Sequence, residues 1–344
     1  MSAGGRLAVT SRFGTPPSGR LGAVRVAPWA VVGVLLLIPL VVRDAYTMRL
    51  INVIGINCLL ALGLNLVIGV AGQLDAGQAG FYAVGAYTAG ILAVRVGVPF
   101  WLTVLVAVAA SSTLALAIGP VLRLRGVFLA VATLAFGEIV RIVINNWMPV
   151  TNGPNGIPGI PFPSIAGFRF DTDQRYYYLV LAWVLVCYLA IARMADSRVG
   201  RAMKAIRDNQ DAAEVMGVHA IRYKIMAFGV AGAFAGVAGA LLAHLQTYIS
   251  PENFTFLTSV DIIFMVVLGG LGSVPGSIVG AFVVTVGPEW LRFLKDYRLI
   301  VYALIILSVL IFAPRGLYGG IDWVRRRLIP LAAGRRPERA AIDG

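Results

Sequence analysis

The sequence has 344 residues, 59% of them hydrophobic and 13% charged, with a net charge of +13 and a mean hydropathy of +0.84. No soluble core of this length needs so much apolar content, and runs such as 30–42 and 299–313 lack the alternation of a membrane β-barrel. The composition therefore predicts an all-α polytopic membrane protein, since helices are then the spanning elements that satisfy their own backbone.

Residues 1–28 carry Arg6, Arg12, Arg20 and Arg25 without an acid, and no small-residue cleavage site follows the next apolar run, so they read as a retained cytoplasmic tail. Candidate crossings follow at Trp29 to Val42, Leu50 to Gly69, Gly80 to Val94, Phe100 to Val121, Val127 to Trp147, Tyr178 to Ala192, Ile225 to Leu245, Val260 to Leu271, Gly276 to Trp290 and Leu299 to Ala313. That makes about ten transmembrane helices in a domain over 29–314, with an external loop at 148–177, a cytoplasmic loop at 195–223 and a basic cytoplasmic tail at 315–344. With the N-terminus inside, 20 of the 29 basic residues fall on the cytoplasmic side and eight outside, which predicts N-in and C-in. The same placement accounts for the positive charge through anionic lipid headgroups, with no nucleic acid needed.

Two glycine-rich breaks interrupt the apolar pattern, Gly69 to Gly80 and Gly269 to Ser277. Glycine admits backbone angles that other residues resist, and Pro275 cannot continue a helix, so both segments are expected to unwind within or at the edge of the bilayer. Such breaks either line a transport path or form close packing seams between helices.

Intramembrane polar groups cluster near the breaks. Asn57 and Asn65, eight apart, share one face of the second span, and Gln73, Asp75 and Gln78 fall in the first break. Glu138 and Arg141 stand three apart on the fifth span, placed either to stitch helices together or to meet solute. Gly270, Gly272 and Ser273 complete the candidate path. Asp261 reads as a helix cap. Cys58 and Cys187 read as packing residues, and His219 and His244 have no companions at metal-ligand spacing, so no metal is expected.

The cytoplasmic loop reads as an amphipathic helix pair ended by Gly217. Met203, Ile206 and Ala213 are its apolar stripe, with Arg201, Lys204, Arg207, Asp208 and Glu214 on the polar side. Such a pair lies on lipid or docks into a partner protein, and Asp208, Asp211 and Glu214 would be repelled by anionic headgroups, which favours protein.

This segment, above all Asp211-Ala212-Ala213 followed by Gly217, resembles the coupling loop of ABC importer permeases. Gly63-Leu64-Asn65-Leu66, Gly72-Gln73-Leu74, Leu122-Arg123-Leu124-Arg125-Gly126, Thr133-Leu134-Ala135-Phe136-Gly137-Glu138, Asn152-Gly153-Pro154-Asn155-Gly156-Ile157 and Gly269-Gly270-Leu271-Gly272 are similar, in that order, to the branched-chain amino acid permeases. The external Gly-Pro-Asn-Gly-Ile stretch favours the LivM type, and the resemblance runs from about Leu50 to Gly316. It implies a bacterial inner-membrane subunit working by alternating access beside a related second permease, two cytoplasmic ABC ATPases and an extracytoplasmic solute-binding protein. ATP would be used by those partners, with no cofactor bound by this chain, whose sequence contains no G-x-x-x-x-G-K-[ST] loop. Arg201, Lys204, Arg207, Asp208, Asp211, Ala212, Ala213, Glu214 and Gly217 would couple to the ATPases.

One departure concerns the solute. Where relatives of this family commonly show Ser and His after Gly-Gln-Leu, this chain has Asp75 and Gln78. A carboxylate there either favours a cationic or amide-bearing solute or is paired and silent. A stand-alone secondary transporter or channel would explain the breaks equally well, but it needs no docking loop. An intramembrane hydrolase would need Ser273 as nucleophile and His244 as base.

Overall fold

The computed structural model describes residues 27–42, 44–165, 168–292, 297, 300–301, 303–304, 307–308 and 316–317. Nearly all of both expected tails, and most of the last expected span at 299–313, lie outside the described residues. The chain divides into two compact units, residues 1–43 and 44–344. The first contains helix α1, Ala27–Val41, on the first expected span.

In the second unit, α2 (Ala45–Asn65) runs on as a π-helical turn, Leu66–Val70, and α3 (Gln78–Ile91) ends in another, Leu92–Val96. Then come α4 (Phe100–Ala117), α5 (Val127–Asn146), the single turn α6 (Met148–Thr151) and α7 (Asp173–Asp196). The loop helices α8 (Arg198–Asp208) and α9 (Gln210–Val215) precede α10 (Ala220–Gln246), α11 (Phe256–Gly269) and α12 (Val274–Trp290). Two short antiparallel pairs complete the unit: β1 (Ile157–Pro158) with β4 (Tyr248–Ile249), and β2 (Ser164–Ile165) with β3 (Phe168–Arg169).

Among the described residues, six helices are long and apolar enough to cross a membrane: 45–70, 78–96, 100–117, 127–146, 173–196 and 220–246. The eighth and ninth expected crossings are α11, of 14 residues, and α12, of 17, which are shorter because the second break divides them.

Side-chain bonds sort the connections onto two ends. At the β end the Tyr46 hydroxyl donates to Glu289 (2.5 Å), Arg95 donates to the Pro149 carbonyl (2.7 Å) and β1 pairs with β4. At the α8 end Arg125 pairs with Asp211 (3.0 Å) and Arg207 donates to the Gly69 carbonyl (2.6 Å). Successive long helices therefore run in alternating directions. Asp44 caps α2 at the β end; the hydroxyl and backbone N–H of Thr47 hold its carboxyl below the usual carboxylate range.

The core is built by α2, α3, α4 and α10, and small residues let their backbones touch. A Cβ on Gly236 would press on the Ala107 carbonyl of α4, and one on Gly239 would collide with the backbone of Tyr82 and Ala86 on α3. With no solvent to drive membrane helices together, such close van der Waals contact is what holds them. Hydrogen bonds from Ser111 to the Phe81 carbonyl (2.9 Å) and from Tyr176 to the Leu241 carbonyl (2.6 Å) add about 0.6 kcal/mol each.

Candidate functional site

Both glycine-rich segments unwind, over shorter stretches than expected: residues 71–77 in the first and 270–273 in the second. Gly80 lies inside α3. Pro275 starts α12 instead of ending a helix, since a first-turn residue has no intrahelical N–H bond to lose. Gly72, Gly270 and Gly272 hold φ of +68°, +114° and +79°, a region that side chains resist.

The two breaks meet at the α8 end. Gly69 packs so closely on Gly272 that a Cβ there would overlap the Gly272 backbone. Asn65, buried at the end of α2, clasps the second break from both sides: its Oδ1 accepts from the Gly272 N–H (2.8 Å) and its Nδ2 donates to the Ser273 carbonyl (3.0 Å). Ser273 itself caps α12 by accepting from the Gly276 N–H (3.2 Å). Arg207, in the last turn of α8, donates Nη1 to the Gly69 carbonyl and lies against Gly72 and Gly272. A charge-assisted hydrogen bond of this length is a strong one. The loop helix thus grips both breaks at once.

The first break leads inward from this junction. Gln73 donates to the Ala71 carbonyl (3.1 Å), and Asp75 accepts from the Gly77 N–H (2.9 Å). The Thr133 hydroxyl stands beside Asp75, accepts from the Ala76 N–H (3.0 Å) and directs its proton to the Ala130 carbonyl (3.1 Å). Gln78, the first residue of α3, donates weakly to the Ala231 carbonyl (3.4 Å). Asp75 Oδ2 and Gln78 Oε1 are buried without a hydrogen-bond partner among the described residues.

The remaining expected path residues lie apart from the junction. Asn57 donates to Thr285 on α12 (2.9 Å), so it shares with Asn65 the face of α2 turned to the second break and the helix that follows. Glu138 and Arg141 bond each other on α5, with Nε and Nη2 both on Oε1 (2.8 and 2.5 Å). An intrahelical pair contributes about 0.3–0.5 kcal/mol, while a charge at mid-membrane costs about 2.5–3.5 kcal/mol on the insertion scale. The pair therefore needs surroundings other than lipid, and with side chains 26% and 35% exposed it is not enclosed by this chain.

Of the loop residues, Met203, Ile206 and Ala213 are buried against the chain's own helices. This corrects the expectation that the apolar stripe docks outward: amphipathicity says one face is covered, not by what. The outward apolar groups are Val215 and Met216, 87% and 83% exposed, beside Gly217 at φ +87°. Arg201 donates to the Asp196 carbonyl (2.9 Å), Glu214 accepts from Gln210 (2.8 Å), and Asp208 lies beside Arg207. Lys204 is half-buried; Ala212 is exposed and donates its N–H to the α9 cap, Asn209 (3.0 Å).

Two further expectations fail. Asp261 is an exposed sixth residue of α11, whose cap position is Thr255, so it caps nothing. Ser273 lies at the α8 end, whereas His244, bonded to the Pro161 carbonyl (2.7 Å), lies at the β end, so these two form no nucleophile–base pair. Sequence reasoning missed Thr133, Thr285 and Arg125 as partners, although Thr133 and Arg125 lay in motifs that drew notice. It also missed the loop caps Ser197 and Asn209, which their residue types at the helix starts signal.

Residues 46–313 match the family described as branched-chain amino acid transport system / permease component. The chain is 38% identical over 298 residues to the high-affinity branched-chain amino acid transport system permease protein LivM of Salmonella typhimurium, covering 80% of this chain and 69% of that protein. It is 37% identical, with the same coverage, to the protein of that name in Escherichia coli. The Escherichia coli permease protein LivH is 22% identical over 287 residues, 76% of this chain and 90% of its own length.

Proposed function

Because this chain belongs to the family of branched-chain amino acid transport permease components, we propose that it is a LivM-type subunit of an ABC importer for branched-chain amino acids or related small polar solutes. It lies in the inner membrane with about ten spans and with the α8 end in the cytoplasm. The surplus of basic residues around α8, α9 and the α4–α5 turn supports that orientation. A related second permease stands beside it, two ATPases sit under α8 and α9, and a solute-binding protein delivers solute at the β end. Similarity to both LivM and LivH supports a pair of related but unlike permeases. The open face of α5 is assigned to that second permease, because the Glu138–Arg141 pair on it is unsuited to lipid.

One observation carries the coupling step: the hydrogen bond from Arg207 to the Gly69 carbonyl. ATP-driven closure of the ATPases displaces α8 and α9. Arg207 passes that displacement to Gly69 and, through the contact of Gly69 with Gly272, to α11 and α12. Asn65 keeps the two breaks in register as they move. ATP is consumed by the partners, and this chain supplies the path through Asn65, Gln73, Asp75, Gln78 and the turn 270–273.

The test is uptake by the whole transporter in vesicles. Gly217→Leu places a branched side chain at a positive φ on the exposed end of α9. It is expected to leave the chain in the membrane while severing ATP hydrolysis from uptake. Normal uptake in that variant, or uphill uptake by this chain on an ion gradient without an ATPase, overturns the reading; the latter would establish a secondary transporter.

A further inference from the structure

Lys224 carries a charge that the fold alone does not explain. It is the fifth residue of α10, and at 1% exposure it is among the largest fully buried side chains. Lysine is almost never enclosed to this degree without a partner. Yet the ion pairs among the described residues do not include it, and no acceptor among them takes its ammonium protons. Its position raises the cost. Lys224 lies near the positive end of the α10 dipole, and His219, at the cap position, offers the free backbone N–H groups no side-chain acceptor. Arg125 stands close enough for its charge to repel the ammonium.

The missing anion is one helix away. Ala213 on α9 and Ala220 on α10 share a small apolar cluster with Ile206, so the two helices meet there. Lys224 follows Ala220 by one turn on the same face, and Glu214 follows Ala213. The Glu214 carboxylate is near enough to attract the ammonium, but it is exposed and accepts from Gln210 (2.8 Å) instead. One turn earlier on α9, Asp211 is already bound to Arg125 (3.0 Å). Two acids three residues apart on α9 thus stand near two cations outside the loop, with one pair made and the other open.

We infer that Lys224 is a positioning residue of the coupling step: when α9 is displaced, Glu214 leaves Gln210 and closes onto Lys224, and this pair marks the second position of the loop. The inference rests on the importer reading above and deepens it. An unpaired cation enclosed by protein destabilises the position described here. Lys224 already bears the cost of leaving water, so only Glu214 has to be desolvated, and the pair it then makes is better shielded than its exposed bond to Gln210. The two positions of α9 are thereby made discrete, which turns a push from outside into a step inside. Arg207 carries the displacement onward; Lys224 fixes where it stops.

The experiment uses the complete transporter in vesicles with the binding protein, ATP and L-leucine as probe, and reads ATP hydrolysed per leucine taken up. Lys224→Met keeps the length of the side chain and removes its charge. Glu214→Gln removes the other charge at an exposed position on which folding does not depend. Each is expected to raise the ratio about fivefold or more through loss of uptake, with hydrolysis continuing. The double variant K224M/E214Q is expected to match the worse single variant, because either change alone already abolishes the pair. A lysine that serves only to fill space leaves the ratio within about twofold of wild type in Lys224→Met, since methionine fills it as well, and that result overturns the inference. A ratio within about twofold in Glu214→Gln overturns it even where Lys224→Met does not reach the membrane. Effects that multiply in the double variant overturn it too, for then the two charges act on different partners. Failure of the wild-type chain to take up leucine at the expense of ATP overturns the permease reading itself.

Discussion

The helix pair α2 and α10 and the helix α5 are equally apolar, yet they are packed in opposite ways. Over their most apolar stretches α2 and α10 are 72% buried within the chain, against 22% for α5. Hydropathy thus reports only that a helix avoids water. Small residues and polar clasps decide whether it seeks its own chain or something else: α10 has its glycine seam and α2 its Asn65, while α5 has a charged pair and a face of Val131, Ile139 and Ile142 in the open.

The widest expected gap follows from placing leucine on each helix. Gly239→Leu drives a side chain into the backbone of α3, and overpacking of this kind costs about 3 kcal/mol or more where backbone cannot yield. Ala135→Leu, on the exposed face of α5, is expected to leave folding of the isolated chain within about 0.5 kcal/mol and to weaken co-purification of the second permease. Thermal unfolding in detergent measures the first, and pull-down the second; equal destabilisation by both would erase the contrast. Next in size is Asn65→Ala, which strands the Gly272 N–H while the Ser273 carbonyl keeps its bond from the Ser277 N–H (3.1 Å). Its expected cost is about 1–3 kcal/mol in the same melt, for the one orphaned group. Arg207→Ala is expected to spare most of the melting temperature but cut ATP-driven uptake about tenfold, and unchanged uptake would remove the latch. Asp211→Asn deletes an ion pair more than half exposed at both partners, so less than about 1 kcal/mol should be lost, diminishing further in high salt.

Much of the helical frame was legible because an apolar run long enough to cross a bilayer has few alternatives. The limits of the breaks were not. Gly80 and Pro275 looked like interruptions, yet each sits within or at the start of a helix, since glycine serves close packing as readily as unwinding and proline suits a first turn. The meeting of Gly69, Gly272 and Arg207 joins positions about 200 and 140 residues apart, and no local pattern encodes it. The stripe of Met203 and Ile206 was correctly found and wrongly directed, because periodicity fixes a buried face without naming its neighbour.

The two-residue pairing of Ile157 with Ile249 and Pro158 with Tyr248 joins the crossover after α5 to the turn after α10. Those segments lie on either side of the chain that forms α8 and α9, so the rim at that end is tied across the stroke. A lever needs a fulcrum: under the proposed coupling, with the far rim fastened, a push delivered at Arg207 would become rotation about that rim, and small displacements at the loop would swing the half-helices on either side of the second break.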